Sequence, residues 1–286
     1  MGSSFAYTKT DSILKVDNVS LSLDGKQILR NINFDIKEIN RNDSIAGEVI
    51  GVLAPSGMGK TQLMNCLCGY YNPVDNNDPD DYTYMTGNVL IGKDQKQVQL
   101  GQVGLVQQNY PIWKHRTVNS ILMKAAHKLH NGERKDKVET YLNHFNLMDK
   151  RELYPSQLSG GQKQRIGLAA AFINADNIVL LDEVTSGLDP IMTDKVLELI
   201  VSTANLNKDN VIVMVSHDVT NTLAVANSVI MLGKEKNLDG TTIPGATIKY
   251  SYDLIDLDFA WHPDIRNNPR FLEFAQEVRD NFKNLI

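Results

Sequence analysis

The chain carries the sequence EVIGVLAPSGMGKT at residues 48–61, directly ahead of a helix-like segment, Gln62 to Cys68. Its first six residues form a compact apolar run, which is typical of a strand buried on both faces of a parallel sheet. The glycine-rich turn that follows has the composition of a phosphate-binding loop between a strand and a helix. In such loops backbone N–H groups surround phosphate, a lysine neutralises it (Lys60), and a hydroxyl holds Mg²⁺ (Thr61). Only Ala54 departs from the strict pattern, because it replaces the usual opening glycine.

A second glycine motif, Leu158-Ser159-Gly160-Gly161-Gln162, precedes the helix-like run Lys163 to Phe172. Bare backbone N–H groups at a helix N-terminus favour anions, so the motif suits a phosphate. Taken alone, it also fits a plain helix start with Ser159 as the N-cap and the glycines in a tight turn. Other motifs in the chain are needed to choose between these interpretations.

Two further apolar runs end in polar groups that suit phosphate chemistry. Residues 177–183 end in Asp182 and Glu183, and residues 211–218 end in Ser216-His217-Asp218. Ligands of parallel α/β sheets bind at the carboxyl ends of the strands. We therefore expect these side chains to lie beside the phosphate-binding loop.

The rest of the pattern predicts an α/β fold with a mainly parallel sheet, an antiparallel N-terminal β subdomain and an inserted helical subdomain. Residues 1–240 are predicted to form one domain with the helical subdomain at about 109–170, and residues 241–286 a C-terminal extension. The predicted strands are Ile13 to Val16, Val19 to Leu23, Ile28 to Ile36, Gly87 to Ile91 and Val103 to Val106, with a loop over Glu38 to Ala46. The predicted helices include Thr117 to His130 and Lys135 to Phe145, and the polar, turn-rich tail is expected to finish in a helix over Pro269 to Phe282.

Composition excludes several classes of protein. The net charge of -5 and the pI near 5.7 argue against a nucleic-acid partner, which requires clustered Lys and Arg. No apolar run approaches the roughly 20 residues that span a bilayer, and the first residues lack the features of a secretory signal. The acidic segment Asp75 to Asp81 does not match the spacing of a calcium loop, so it is predicted to be a solvated insertion.

With its sequence motifs in this order, the chain resembles the ATP-binding subunit of an ATP-binding cassette (ABC) transporter over roughly residues 13–233. The motifs that carry the resemblance are the phosphate loop Ala54 to Thr61, the loop glutamine Gln108, the signature Leu158 to Gln162, the strand end Asp182-Glu183, the turn Ser186 to Asp189, and the switch His217. The resemblance implies a P-loop NTPase core.

The resemblance also implies an Mg²⁺-dependent ATPase with ATP and Mg²⁺ as cofactors. Glu183 would polarise the attacking water, His217 would contact the γ-phosphate, and Lys60 would hold the phosphates. The implied nucleotide-binding residues are Leu23, Pro55, Ser56, Gly57, Met58, Gly59, Lys60, Thr61, Gln62, Gln108, Ser159, Gly160, Gly161, Gln162 and Asp189. The implied Mg²⁺ ligands are Thr61, Gln108 and Asp182, the last acting through the water shell of the ion.

Implied partners are a second ABC ATPase subunit, a transmembrane permease and a substrate-binding protein, with the chain held at the cytoplasmic face of a membrane through the permease. Ser159 and Gly161 would serve an ATP bound to the phosphate loop of the second subunit. Tyr154-Pro155-Ser156-Gln157 resembles importer subunits, and the apolar residues Tyr110, Ile112 and Trp113 are the expected docking surface for the permease.

Three further positions depart from the family pattern. Leu23 replaces an aromatic residue that would stack on adenine, Val184 replaces a proline, and Ala170 replaces an arginine. Two alternatives to a transporter ATPase are compatible with these motifs. One is a soluble ABC ATPase of an assembly system, of the iron-sulfur scaffold type, and the other is a nucleotide-binding regulator without hydrolysis. Glu183 and His217 speak against the regulator.

Overall fold

The computed structural model describes residues 4–73, 83–107, 112–175 and 177–285. Within them, a six-stranded sheet carries the phosphate loop and a four-stranded sheet packs against it. The strands are β1 (Tyr7–Leu23), β2 (Lys26–Arg41), β3 (Glu48–Leu53), β4 (Thr83–Ile91), β5 (Lys96–Gln97), β6 (Gly104–Val106), β7 (Ile178–Asp182), β8 (Val211–Ser216), β9 (Ser228–Gly233) and β10 (Thr247–Asp253). The helices are α1 (Lys60–Leu67), α2 (Val118–Ala125), α3 (Asn131–His144), α4 (Gly160–Asn174), α5 (Pro190–Ala204), α6 (Val219–Val225) and α7 (Pro269–Lys283).

The six-stranded sheet has the order β10-β9-β3-β8-β7-β6, and all of its strands except β10 run parallel. Every residue of β3 is buried, because β3 lies between β8 and β9 with helices on one face and the second sheet on the other. The carboxyl ends of β3, β7 and β8 lie at the same edge. The predicted fold class is therefore confirmed, and the edge that carries the sequence motifs is a single surface.

The four-stranded sheet is antiparallel in the order β2-β1-β4-β5. Two short strands were expected before residue 24, but β1 is one continuous strand of 17 residues. The pairing register shifts between Val16 and Val19, where Asn18 takes a left-handed conformation with φ of 52°. The prediction of two strands was wrong because Asp17-Asn18 lies in a β-bulge, which bends a strand without ending it.

The predicted loop over Glu38 to Ala46 was also wrong in its first residues, since β2 continues to Arg41. Ile39 points into the core, and Glu38 is only 2% exposed. The Glu38 carboxylate accepts hydrogen bonds from Lys208 at 2.7 Å and lies 3.0 Å from the Lys93 ammonium group. A buried carboxylate is tolerated in this strand because two cations approach it from separate parts of the chain.

The helices α2, α3 and α4 pack around Phe145, Leu122 and Ile166, and this cluster is continuous with the core beneath the parallel sheet. The helix expected over Thr117 to His130 begins where predicted, because the Thr117 side chain accepts a hydrogen bond from the Ser120 N–H. It ends at Ala125 and continues as a single 3₁₀ turn over Ala126–Lys128.

The segment after residue 240 contributes a strand that the sequence prediction missed. β10 pairs antiparallel with β9 and forms one edge of the larger sheet. Its residues alternate between partly buried Ile248, Tyr250 and Tyr252 and exposed Lys249 and Ser251. The final predicted helix is confirmed as α7, which buries Phe271 against Phe259.

Candidate nucleotide site

The phosphate loop joins β3 to α1, and two of its glycines require a left-handed backbone. Gly57 has φ of 80° and Gly59 has φ of 79°, a conformation that other residues adopt only with strain. Space around Gly57 is open, since a Cβ atom built there would meet nothing within 4 Å. Ala54 is fully buried and its φ is not positive, so an alanine fits where the strict pattern has glycine. Its carbonyl oxygen accepts a hydrogen bond from Lys60 at 3.1 Å.

Lys60, Glu183 and His217 meet at the carboxyl edge of the sheet. The Lys60 ammonium nitrogen lies 2.9 Å from Glu183 Oε1, and His217 Nδ1 lies 3.5 Å from the same oxygen. The hydrogen bond from Lys60 lowers the pKa of the Glu183 carboxyl, and His217 adds to this effect. Glu183 has φ of 48°, and its N–H donates to the Val215 carbonyl of β8. The carboxylate of Glu183 is therefore ionised and held by Lys60, while the backbone of Glu183 is fixed by its hydrogen bond to β8.

Asp182 is the last residue of β7, and its environment differs from that of its neighbour. Partial burial raises the pKa of the Asp182 carboxyl, the Glu183 carboxylate raises it further, and Lys60 opposes both. A nearby divalent cation would favour the ionised form of such a carboxylate. Mg²⁺ takes oxygen ligands and keeps several waters, so one hydroxyl from Thr61 and one carboxylate from Asp182 fit its needs. The donor set at this edge therefore suits Mg²⁺.

The signature motif begins α4 and forms a capping box. The Ser159 hydroxyl accepts a hydrogen bond from the Gln162 N–H at 3.3 Å, and Gln162 Oε1 accepts from the Ser159 N–H at 2.9 Å. Ser159 and Gly160 are exposed, and a Cβ at Gly160 would meet nothing within 4 Å. The plain N-cap and the anion-site interpretation are thus compatible, because the cap leaves the helix N-terminus open to an incoming group.

One polar contact that the sequence did not predict joins α4 to the carboxyl edge of the parallel sheet. Gln164 is 5% exposed, and its Nε2 donates to the Val184 carbonyl oxygen at 2.7 Å. A glutamine within the apolar face of α4 was the available signal, since buried amides are hydrogen-bonded. Val184, in the position where proline was expected, is 3% exposed and packs in the core.

The remaining predicted site residues have varied surroundings. Leu23 ends β1 opposite Lys26 and is partly buried against the core. Asp189 caps α5 by accepting a hydrogen bond from the Met192 N–H at 3.0 Å. Gln62 accepts hydrogen bonds from Tyr71 and Asn65. Of the loop residues, Pro55 and Met58 are buried, Ser56 and Thr61 are exposed, and Gln108 and Tyr110 lie outside the described residues.

Comparison with known proteins identifies the family. The family model described as ABC transporter matches residues 29–186, more than half of the chain. The chain belongs to the ABC transporter family. A probable amino-acid ABC transporter ATP-binding protein of Haemophilus influenzae is 31% identical over 230 residues, which cover 77% of this chain and 84% of that relative.

Two further similarities agree with this assignment. The methionine import ATP-binding protein MetN of Histophilus somni is 31% identical over 233 residues, which cover 79% of this chain and only 62% of that protein. The solved structure of CbiO1 from Clostridium perfringens, described as part of the ABC transporter complex CbiONQ, superposes with a TM-score of 0.68. That match covers 94% of this chain and all of the other, and its 21% identity supports the fold alone.

The chain is thus an ATP-binding ATPase subunit of the ABC transporter type, as its motifs predicted. The two relatives are named as ATP-binding proteins of amino-acid transport and of methionine import, which favours the transporter interpretation over the soluble assembly ATPase. In the part of the chain that the structure describes, no helix combines the length and the apolar character needed to cross a membrane.

Proposed function

We propose that this subunit hydrolyses MgATP between its phosphate loop and Glu183, and that the reaction drives uptake of a small solute of the amino-acid class through a permease. The relatives named for amino-acid transport and for methionine import support the solute class. The observation that carries the chemistry is the convergence of Lys60 and His217 on one oxygen of Glu183.

The first step is a change of partner for Lys60. When the phosphates of ATP enter the loop, the N–H groups at the start of α1 and the Lys60 ammonium group bind them. Lys60 then leaves Glu183, whose carboxylate becomes available to accept a proton from the attacking water. The oxygen of that water bonds to the γ-phosphorus as the bond to the ADP oxygen breaks. His217, 60% exposed at the edge of the site, is placed to donate to the γ-phosphate.

Thr61, Asp182 and the loop glutamine Gln108 are proposed to hold Mg²⁺, which neutralises charge on the phosphates when it is bound. Asp182 and Glu183 are proposed to have different roles because their surroundings differ. Asp182, the more buried of the two, faces the cation, and Glu183, next to Lys60, activates water. Chelation of Mg²⁺ should abolish phosphate release. Restoration by added Mg²⁺ is the matching control.

A second cassette completes the proposed site. Glu183 and Lys60 supply one wall, and the exposed N-terminus of α4 at Ser159 and Gly160 faces solvent. We propose that this N-terminus binds the γ-phosphate of an ATP held by a partner subunit, so that ATP stabilises the dimer. Ser159→Arg should prevent ATP-dependent dimerisation of a Glu183→Gln chain. A dimer that persists in size-exclusion chromatography would contradict this arrangement.

The proposed docking surface for the permease is a groove of about 370 Å³ beside β6 and α4. Ile112, Trp113, Ile121 and Ile166 contribute apolar walls, and Trp113 is 53% exposed. Exposed aromatic side chains in grooves are frequent anchors of protein partners. Trp113→Ala should weaken recovery of the subunit with washed membranes that contain the permease. Unchanged recovery with ATP turnover still coupled to transport would place the docking surface elsewhere.

Phosphate release by the purified subunit, alone and with its permease, tests the central proposal. Wild-type protein should release phosphate, and Glu183→Gln should lower kcat by roughly 10²- to 10⁴-fold, the usual contribution of a general base. Glu133→Gln makes the same chemical change at an exposed position on α3 and should leave turnover unchanged. Wild-type protein without Mg²⁺-dependent phosphate release, even in the presence of the permease, would support the non-hydrolysing regulator instead.

A further inference from the structure

A cavity of about 460 Å³ lies between the two sheets, at the end of β3 opposite the phosphate loop. Strands β2, β3, β9 and β10 contribute its walls, together with Lys9 of β1. Since β3 rises about 3.3 Å per residue, its first residue lies roughly 17 Å from its last, Leu53. The cavity is therefore separate from the nucleotide site, although one strand connects them.

Glu48 is the most unusual residue in this cavity. It is 5% exposed, and within the described residues its carboxylate makes no hydrogen bond and no ion pair. By the alternation of β3, its side chain lies on the same face as Ile50, which also lines the cavity. Burial raises the pKa of the Glu48 carboxyl to about 8, Asp253 raises it as well, and Lys9 opposes them. A carboxyl group that lines a cavity and has no counterion there suits a ligand that supplies one.

The charged groups around Glu48 are already paired with one another. Lys9 forms an ion pair with Asp253, and Lys37 lies 3.9 Å from Asp35. Asp253 also accepts hydrogen bonds from the N–H groups of Ile255 and Asp256. Two cations thus face two anions at the mouth of the cavity. Glu48 is left without a counterion of its own among the residues that the structure describes.

We propose that this cavity binds a small organic cation, a primary amine with a short hydrocarbon body, whose ammonium group pairs with Glu48. The apolar walls formed by Phe34, Ile50, Ile230 and Ile248 would contact the hydrocarbon. The volume falls within the range of about 300–1,000 Å³ that is usual for small-molecule sites. A charge-assisted hydrogen bond at one end and apolar contact along the body are sufficient for recognition.

A metal ion fits this cavity less well than an amine. Mg²⁺ and Ca²⁺ require about six or more oxygen ligands in close geometry. Across the described residues, no group of three or more His, Cys, Asp and Glu side chains is arranged to hold a metal ion. One buried carboxylate with aliphatic neighbours matches the polarity of an amine, which is cationic at one end only.

Titration of wild-type protein with 2-phenylethylamine, and with the neutral 2-phenylethanol of similar shape, tests the proposal by calorimetry and ligand-observed NMR. The amine should bind at least tenfold more tightly than the alcohol. Saturating ATP should leave the amine bound, because the two sites are separate. Equal affinity for the two compounds, absence of amine binding at millimolar concentration, or displacement by ATP would overturn the proposal.

The pH dependence supplies an independent test. The amine requires ionised Glu48, so its affinity should rise nearly tenfold from pH 6 to pH 7 and level off above about pH 8. Below about pH 8 binding should release a proton from Glu48, measured by calorimetry in buffers of different ionisation enthalpy. Among the described residues, the other titratable or charged groups around this cavity are Tyr7 and Lys9 of β1, Asp35 and Lys37 of β2, and Tyr252 and Asp253 of β10. Affinity independent of pH from 6 to 8 would contradict a role for Glu48.

Two variants separate charge from shape. Glu48→Gln keeps the volume and removes the charge, and it should weaken the amine at least tenfold, whereas Glu133→Gln on exposed α3 should have no effect. Ser228→Leu fills the cavity from β9 without changing charge and should weaken both compounds. A thermal unfolding transition confirms that each variant is folded. If Glu48→Gln does not fold, Ser228→Leu alone tests the site. Full amine affinity in a folded Glu48→Gln or Ser228→Leu chain would refute the site.

Discussion

Glu183→Gln should tighten the binding of nucleotide while it removes turnover. The Lys60 ammonium group donates to Glu183 at 2.9 Å, and the two side chains are 12% and 23% exposed. Glu183→Gln keeps an acceptor for the charged Lys60 ammonium group but removes the opposite charge, and partly exposed ion pairs contribute up to about 1 kcal/mol. Nucleotide binding must break this contact. The substitution therefore lowers the cost by about 1 kcal/mol, or roughly fivefold in Kd.

Equilibrium binding of a non-hydrolysable ATP analogue measures the effect. All chains should carry Ser159→Arg, so that dimerisation does not contribute to the apparent affinity. Glu133→Gln in the same background controls for the loss of one negative charge from the protein. The difference should shrink in about 1 M salt, which screens partly exposed charges.

Binding of ADP distinguishes two effects of Glu183→Gln that would both tighten the binding of the ATP analogue. Removal of Glu183 also relieves its repulsion of the γ-phosphate, and this effect requires a triphosphate. The release of Lys60 is needed for ADP as well, because Lys60 contacts the β-phosphate. Tighter binding of the ATP analogue without tighter binding of ADP would refute the contact with Lys60 as the cause, and weaker binding of both would refute the whole argument.

Three further predictions concern stability and the loop. The Lys208 and Lys93 ammonium groups lower the pKa of Glu38 to about 2, so its stabilisation is full above about pH 4.5 and is lost as the pH falls towards 2. The difference in unfolding free energy between wild type and Glu38→Gln should therefore shrink by about 0.7 kcal/mol between pH 7 and pH 4 in urea titrations, and a constant difference would disprove it. Gln164→Leu should cost about 1 kcal/mol in the same assay and lower kcat with little change in KM, whereas an unchanged kcat would limit Gln164 to a structural role. Gly59→Ala should weaken ATP binding, because a left-handed conformation strains alanine by about 1–2 kcal/mol; wild-type affinity would show that the loop adapts.

The residues at the carboxyl edge of the parallel sheet were predictable, because the sequence patterns that indicate them are local. The run from Glu48 to Thr61 contains a buried strand, a turn and a helix start in fourteen consecutive residues, and each follows from its own composition. Asp182, Glu183 and His217 follow from the same logic, since they end neighbouring strands. The structure brings Lys60, Glu183 and His217 together as that logic expects.

The errors concern features that depend on distant partners. The bulge at Asn18 lies against Gly87 of β4, where a Cβ would come within 2.4 Å of the Asn18 backbone. Glu38 is buried in β2 only because Lys93 and Lys208 reach it. These distant partners cannot be identified from the residues beside Asn18 and Glu38. A polar pair therefore predicted a break between two strands, and a polar run predicted a loop.

The missed strand β10 has a different explanation. It is an edge strand whose alternating residues are only partly buried, so its apolar pattern is weak against its polar neighbours. The alternation of Ile248, Tyr250 and Tyr252 was nevertheless present in the sequence. Alternation at period two was the signal that could have identified it.

The contact between Gln164 and Val184 makes α4 a reciprocal link between two sites in the proposed dimer. The helix starts at Ser159, beside the partner's nucleotide, and reaches the residue after its own Glu183 within five residues, or about 7.5 Å. A movement of that N-terminus towards the partner's phosphate would shift the residue next to Glu183 in the subunit's own nucleotide site. Thermodynamic linkage makes the effect on nucleotide binding mutual. ATP hydrolysis should therefore be cooperative, with a Hill coefficient approaching two, so that two nucleotides are hydrolysed by each dimer as a coupled pair.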